Sequence, residues 1–100
     1  MYNFMRLILF FDLPMVTNSD KKTYTSFRKY LIKNGYMMIQ FSVYCKIFNN
    51  RDAATNHINI LRKNIPSKGY IRLMLVTEKQ YNNSIIVIGG KSNQEKILTI

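Results

Sequence analysis

The side chain best placed to do chemistry is Asp12, at the end of the stretch RLILFFDLPM (residues 6–15). Leu7 to Phe11, with Leu13 just beyond, form an apolar run that reads as a buried strand, and a proline turn follows the acid at once. Two chemistries suit a carboxylate there. It can cap the Leu13-Pro14 turn as an Asx-type residue. Alternatively, it can offer oxygen to a hard cation such as Mg²⁺, which takes carboxylates and keeps several waters. One Asp alone makes a weak site; a two-fold dimer that brings two copies together makes a better one. A metal so held could activate water against a phosphodiester. The other acids have local explanations: Asp20 and Asp52 fall at expected helix starts, and Glu78 and Glu95 in solvated turns.

Other chemistries are disfavoured. The sequence has no Gly-rich phosphate loop and no Cys/His zinc spacing, and VIGGK (residues 87–91) imitates a phosphate loop without the helix that should follow it. A single histidine, His57, is poor material for a hydrolase triad and reads as a surface or satisfied helix residue. The single cysteine, Cys45, precludes an intramolecular disulfide and suits a reducing, cytoplasmic setting. Arg6 and Asp12 interrupt the apolar N-terminal stretch, which argues against a secretory leader. No apolar run approaches the length of a membrane span.

The elements that must position Asp12 follow from periodicity. A first strand spans about Met5 to Phe11, apolar on both faces as a central strand should be. A helix follows, capped by Asn18 or Ser19, with Tyr24, Phe27 and Leu31 inward and Gly35 as its stop. Residues 36–48 alternate as one long strand, with Met37, Ile39, Phe41, Val43, Cys45 and Ile47 on the core face. Tyr36 and Tyr44 fall on the opposite, half-exposed face, where they could stack on bases or be covered by a partner. Asn50 caps a second helix from Arg51 to about Ile65, with Ala54, Ile58, Leu61 and Ile65 inward. Residues 70–77 and 84–90 read as two further strands, and about 91–100 as a tail suited to docking a partner. The expected class is α+β: one domain over 1–100, a ferredoxin-like split β-α-β sandwich (βαββαβ), with an antiparallel sheet, two helices on one face and a homodimeric assembly.

Charge points to the partner. Fifteen Lys and Arg face five Asp and Glu, a net charge of +10 on 100 residues. Such self-repulsion is relieved by a polyanion, nucleic acid first and an anionic membrane surface second. Lys22, Arg28, Lys29 and Lys33 on the first helix are the candidate phosphate contacts. No RNA-recognition aromatic motif is present, so the expected readout is of phosphate and shape. A small basic ribonucleoprotein component also fits this composition.

Four stretches together resemble the CRISPR-associated protein 2 family, in the form found beside type II systems: LILFFDLPM, SFRKYLIKNGYMMIQFSVYCKI, GYIRLMLVTEKQY and IIVIGGK. The resemblance covers nearly the whole chain. It implies a symmetric ferredoxin-like dimer that acts in spacer acquisition, binding prespacer double-stranded DNA and bridging copies of the CRISPR integrase subunit. It also implies Mg²⁺-dependent endonuclease activity on RNA or DNA, with Asp12 as metal ligand and catalytic residue. Many relatives carry Tyr where this chain has Phe11. A non-catalytic nucleic-acid scaffold is the alternative, and a membrane role is not expected.

Overall fold

Six of the seven residues from Met5 to Phe11 are Leu, Ile, Met or Phe, and the run forms strand β1 (Met5–Asp12) at the centre of the sheet. The computed structural model describes residues 4–90. After β1 come helix α1 (Asn18–Lys33), strands β2 (Met37–Gln40) and β3 (Val43–Phe48), helix α2 (Arg51–Leu61), strand β4 (Tyr70–Thr77) and a short helix α3 (Glu78–Asn82). The sheet order is β2-β3-β1-β4 and every pairing is antiparallel. This is the ferredoxin-like βαββαβ arrangement, reached by a different route from the one the periodicity predicts.

The long strand expected over 36–48 is a hairpin. Phe41 and Ser42 turn the chain, Ser42 at φ 64°, and a register shift between Met38 and Gln40 accompanies the turn. The strand expected over 84–90 does not form. Thr77 instead caps α3, its hydroxyl accepting from the Gln80 N–H at 3.0 Å while the Gln80 side chain accepts from the Thr77 N–H at 2.8 Å. This capping box carries the chain off the end of β4, away from a neighbouring strand's hydrogen bonds. Ile85, Val87 and Ile88 are left 86–93% exposed.

Alternation along each strand builds two cores. On one face, Leu7, Leu9 and Phe11 of β1 pack with Phe27 and Leu31 of α1 and with Ala54 and Leu61 of α2. Tyr36 and Tyr44 belong to this core, 3% and 1% exposed, so neither can stack on a base. Their ring bodies are apolar and their hydroxyls find partners at the rim, which lets a tyrosine face be buried. Arg28 Nε donates to the Tyr44 hydroxyl at 3.1 Å, and the Tyr36 hydroxyl lies 2.8 Å from His57 Nε2. The face expected to be the core (Met37, Ile39, Val43, Cys45, Ile47) is the one without helices over most of its area. Ile8, Met37 and Cys45 form its small buried centre, while Phe41 is 79% exposed.

Helix ends follow local chemistry. Thr17, rather than Asn18 or Ser19, is the α1 N-cap, and the Asp20 carboxylate accepts from the Thr17 and Val16 N–H groups at 3.1 and 3.2 Å. Donation from the Thr17 backbone, above all, holds the Asp20 carboxyl below its usual range. Asn50 caps α2 as expected, accepting from the Ala53 N–H at 2.8 Å. That helix ends at Leu61, four residues short of Ile65, which is 46% exposed.

His57 is a satisfied structural residue, packed on the rings of Tyr36 and Phe48. Burial, and then the nearby Lys46 charge, push its pKa below the usual value. The unfolded chain therefore binds the His57 proton more readily than the folded one, so stability rises with pH across that interval. Stability from this group is complete above pH ~6.5 and falls as pH drops below that unfolded-state value. Melting temperatures between pH 5 and 7.5 should rise, and His57→Gln should flatten that slope; an unchanged slope would exclude His57 as its source.

Candidate functional site

Because side chains alternate along β1, Phe11 and Asp12 point to opposite faces. Phe11 lies among Tyr24, Phe27 and Tyr44, with ring centroids 5.6–5.7 Å away. A hydroxyl on a Tyr at that position would sit in the helix-side core, away from the acid. Asp12 is exposed on the open face, at the last residue of β1. Its cross-strand partner on β4 is Tyr70, and one pair earlier on the same face Phe10 stands opposite Arg72 on one side and Val43 on the other. Asp12, Phe10, Ser42, Tyr70, Arg72 and Met74 line an open pocket of about 660 Å³. Ser42 reaches it because its carbonyl accepts from the Phe11 N–H at 3.1 Å, fastening the β2–β3 turn beside the end of β1.

Gly69 fixes the outer wall. At φ 95°, it lies so close that a Cβ would come within 2.7 Å of the Asp12 carbonyl oxygen and of Leu13 Cδ2. Backbone cannot yield as a flexible side chain can. Gly69→Ala should therefore cost more than the ~1–2 kcal/mol of left-handed strain alone. It should also displace Asp12. A chemical-denaturation midpoint equal to wild type would contradict this.

The acids divide cleanly. Asp20 is committed to the α1 cap and Asp52 sits in the first turn of α2. Glu78, expected in a solvated turn, instead accepts from Arg6 Nε at 2.8 Å. Arg6 is 2% exposed; its Nη1 lies 3.6 Å from Cys45 Sγ and its guanidinium stacks 4.1 Å above the Tyr81 ring. Burial alone would lower the Arg6 pKa, but hydrogen bonds to Cys45 and Glu78, with the Glu78 charge, raise it above its usual value. Glu95 lies outside the described residues. Among the described residues, Asp12 makes no salt bridge within 4 Å and no three His, Cys, Asp or Glu side chains gather as a metal cluster.

The basic candidates sit elsewhere. Lys22, Arg28, Lys29 and Lys33 are exposed along α1, on the helix-covered side of the sheet, so one protomer does not bring them to Asp12. Lys22 lines a groove of about 450 Å³ with Thr23, Ser26, Tyr30 and Asn64, between α1 and the chain beyond α2. Arg72, which is nearer the acid, carries no motif; only the strand register places it there. Among the described residues, no helix is long and apolar enough to cross a membrane.

The CRISPR associated protein Cas2 family profile aligns with residues 5–84. The chain belongs to that family. It is 48% identical over 92 residues to the CRISPR-associated endoribonuclease Cas2 of Acidovorax ebreus, covering 92% of this chain and 90% of that one. Identity is 45% over 90 residues to the protein of that name from Treponema denticola, covering 90% and 89%. With the one from Streptococcus mutans serotype c (strain UA159) it is 47% over 87 residues, covering 87% and 80%. The Cas2 match holds every element of the fold, from β1 through α3, and both strands that frame the Asp12 pocket.

Proposed function

We propose that this protein is a metal-dependent nuclease of a CRISPR system, with Asp12 as its catalytic metal ligand. The observation that carries this reading is the exposed carboxylate at the end of β1, free of any salt bridge among the described residues and set in an open pocket. The relatives named as endoribonucleases support phosphodiester cleavage, with RNA as the first substrate to test.

The donor set suits a hard cation. Asp12 offers carboxylate oxygens and Ser42 a hydroxyl in the same pocket, with no thiolate or imidazole to favour a softer metal. One protomer supplies one carboxylate, and two copies across a two-fold axis supply two. Mg²⁺ bound there would lower the pKa of a water and neutralise phosphate charge. The chain's own part would be to supply oxygens to the metal, from Asp12 and Ser42, and to seat the scissile group against the pocket wall.

The open face supports a symmetric homodimer. Met74 is 48% exposed there, and Ile85, Val87 and Ile88 beyond α3 are almost bare. A cleft of about 790 Å³ separates residues 85–90 from Ile8, Phe10 and Val76 of the sheet. Covering such a surface with a second copy removes apolar area from water at about 25 cal/mol per Å². In the cytoplasm, such a dimer would bind prespacer duplex through Lys22, Arg28, Lys29 and Lys33, and bridge integrase subunits in spacer acquisition. The distance of this basic helix face from Asp12 favours a second reading, a binding scaffold in which cleavage is dispensable.

The test is incubation of purified protein with labelled single-stranded RNA and duplex DNA, in Mg²⁺ and in chelator, alongside sedimentation. Metal-dependent cleavage by a dimer is expected. Inactivity on both substrates would leave the scaffold reading, and a monomer at micromolar concentration would remove the shared metal site.

A further inference from the structure

We propose that Arg72 is the phosphate-binding residue of the Asp12 pocket, gripping the nucleic-acid backbone beside the carboxylate. This rests on the reading of that pocket as a phosphodiester site. Arg72 lies opposite Phe10 on β4, and Asp12 lies opposite Tyr70, so the acid and the guanidinium are diagonal neighbours on one face of one strand pair. Such diagonal positions are separated by roughly 7–8 Å. Both side chains line the same pocket, yet they form no ion pair within 4 Å among the described residues. Each charge is left available: the acid for a cation, the guanidinium for an anion.

Once a second copy covered this face, the surroundings would make this placement costly without a ligand. On its face, Arg72 is flanked by Phe10 and Met74, part of the apolar surface that a second copy would cover. A guanidinium taken out of water without an anion costs several kcal/mol. Arg6, on the same face, shows how this chain treats an arginine that serves the fold: it is given Glu78, Cys45 and a tyrosine ring. No such set surrounds Arg72, which is exposed. A planar fork of five N–H donors matches two phosphate oxygens at once, which an ammonium does not. The remaining occupant of that fork would be a carboxylate from a second copy, which would make Arg72 a dimer residue.

The experiment measures anisotropy of a short fluorescein-labelled single-stranded RNA, in chelator, with wild type, Arg72→Ala and Arg72→Lys, and sedimentation of all three. Arg72→Ala should bind about tenfold more weakly, the loss of one charge-assisted contact. The dependence of binding on salt should fall by about one unit of slope. Arg72→Lys should keep the slope and regain only part of the affinity, and all three should sediment alike. Unchanged affinity in Arg72→Ala overturns the proposal. So does dissociation of the dimer in that variant, which assigns the guanidinium to the partner copy. Because no metal and no cleavage are involved, an inert wild type would count against the nuclease reading and leave the Arg72 result to be judged by binding.

Discussion

Asp12→Ala should abolish metal-dependent cleavage while leaving the fold and duplex binding intact. Groups that merely orient a metal ligand cost about 10–100-fold when removed. Loss of the ligand itself should exceed about 100-fold, the upper end of that range. Asp12→Asn keeps the shape and removes the charge, so it should lose nearly as much. Stability should change by no more than about 0.5 kcal/mol, as for other exposed positions free of caps and buried partners. Duplex affinity should persist because Lys22, Lys29 and Lys33 lie on the helix-covered side of the sheet. Cleavage that survives either substitution would remove Asp12 as the catalytic residue. A dimer that falls apart in Asp12→Ala would make the acid a structural residue of the interface.

How far this site was legible depends on the kind of signal each residue carries. Asp12 could be singled out by elimination, since Asp20 and Asp52 had visible helix-start contexts, but the choice between turn cap and metal ligand rested on the family resemblance. The hairpin could not. Met37 pairs with Cys45 and Met38 with Tyr44 at equal parity, the unequal pair Gln40 with Val43 falls at the register shift, and Met37, Ile39, Val43, Cys45 and Ile47 share one face through both strands. The alternation therefore runs unbroken through a chain reversal. The turn itself, Phe41-Ser42, contains none of the Asn-Gly or Gly signals that mark a hairpin. Residues 84–90 misled in the opposite sense: four β-branched apolar residues in a row have strand propensity, but a strand also needs an edge, and the Thr77 capping box turns the chain away from one. The face assignment failed because a tyrosine reads as half-polar until its hydroxyl partner is known; His57 and Arg28 supply those partners from 21 and 16 residues away. Arg72 and Gly69 were invisible for the same reason. Their importance lies in which residue faces them across the sheet, a non-local fact.

The pairing of Arg6 with Glu78 predicts the largest effect on stability, and an asymmetric one. Glu78→Ala strands a guanidinium that is 2% exposed, whereas Arg6→Met leaves a carboxylate that is 27% exposed and can be hydrated. Removing one partner of a buried pair costs about 3–5 kcal/mol, and the exposure of Glu78 places this case near the lower end, about 3 kcal/mol. Arg6→Met keeps volume against Cys45 and the Tyr81 ring and should cost only about 1 kcal/mol, an ordinary single-substitution effect. In the Arg6→Met background, Glu78→Ala should then cost little, giving a coupling of about 2 kcal/mol in a double-mutant cycle. For a domain of this size, Glu78→Ala should lower Tm by more than about 10 °C. The loss reaches beyond α3 itself. The Glu78 N–H donates to the Phe4 carbonyl at 3.1 Å, so the pair and this bond together tie α3 to the start of β1. The described residues beyond α3, including the exposed Ile85–Ile88 run, are aimed by that tie. Weakened self-association in Glu78→Ala, measured below its melting range, should therefore accompany the loss of stability. If Glu78→Ala and Arg6→Met prove equally destabilising, the buried charge is not what the ion pair compensates.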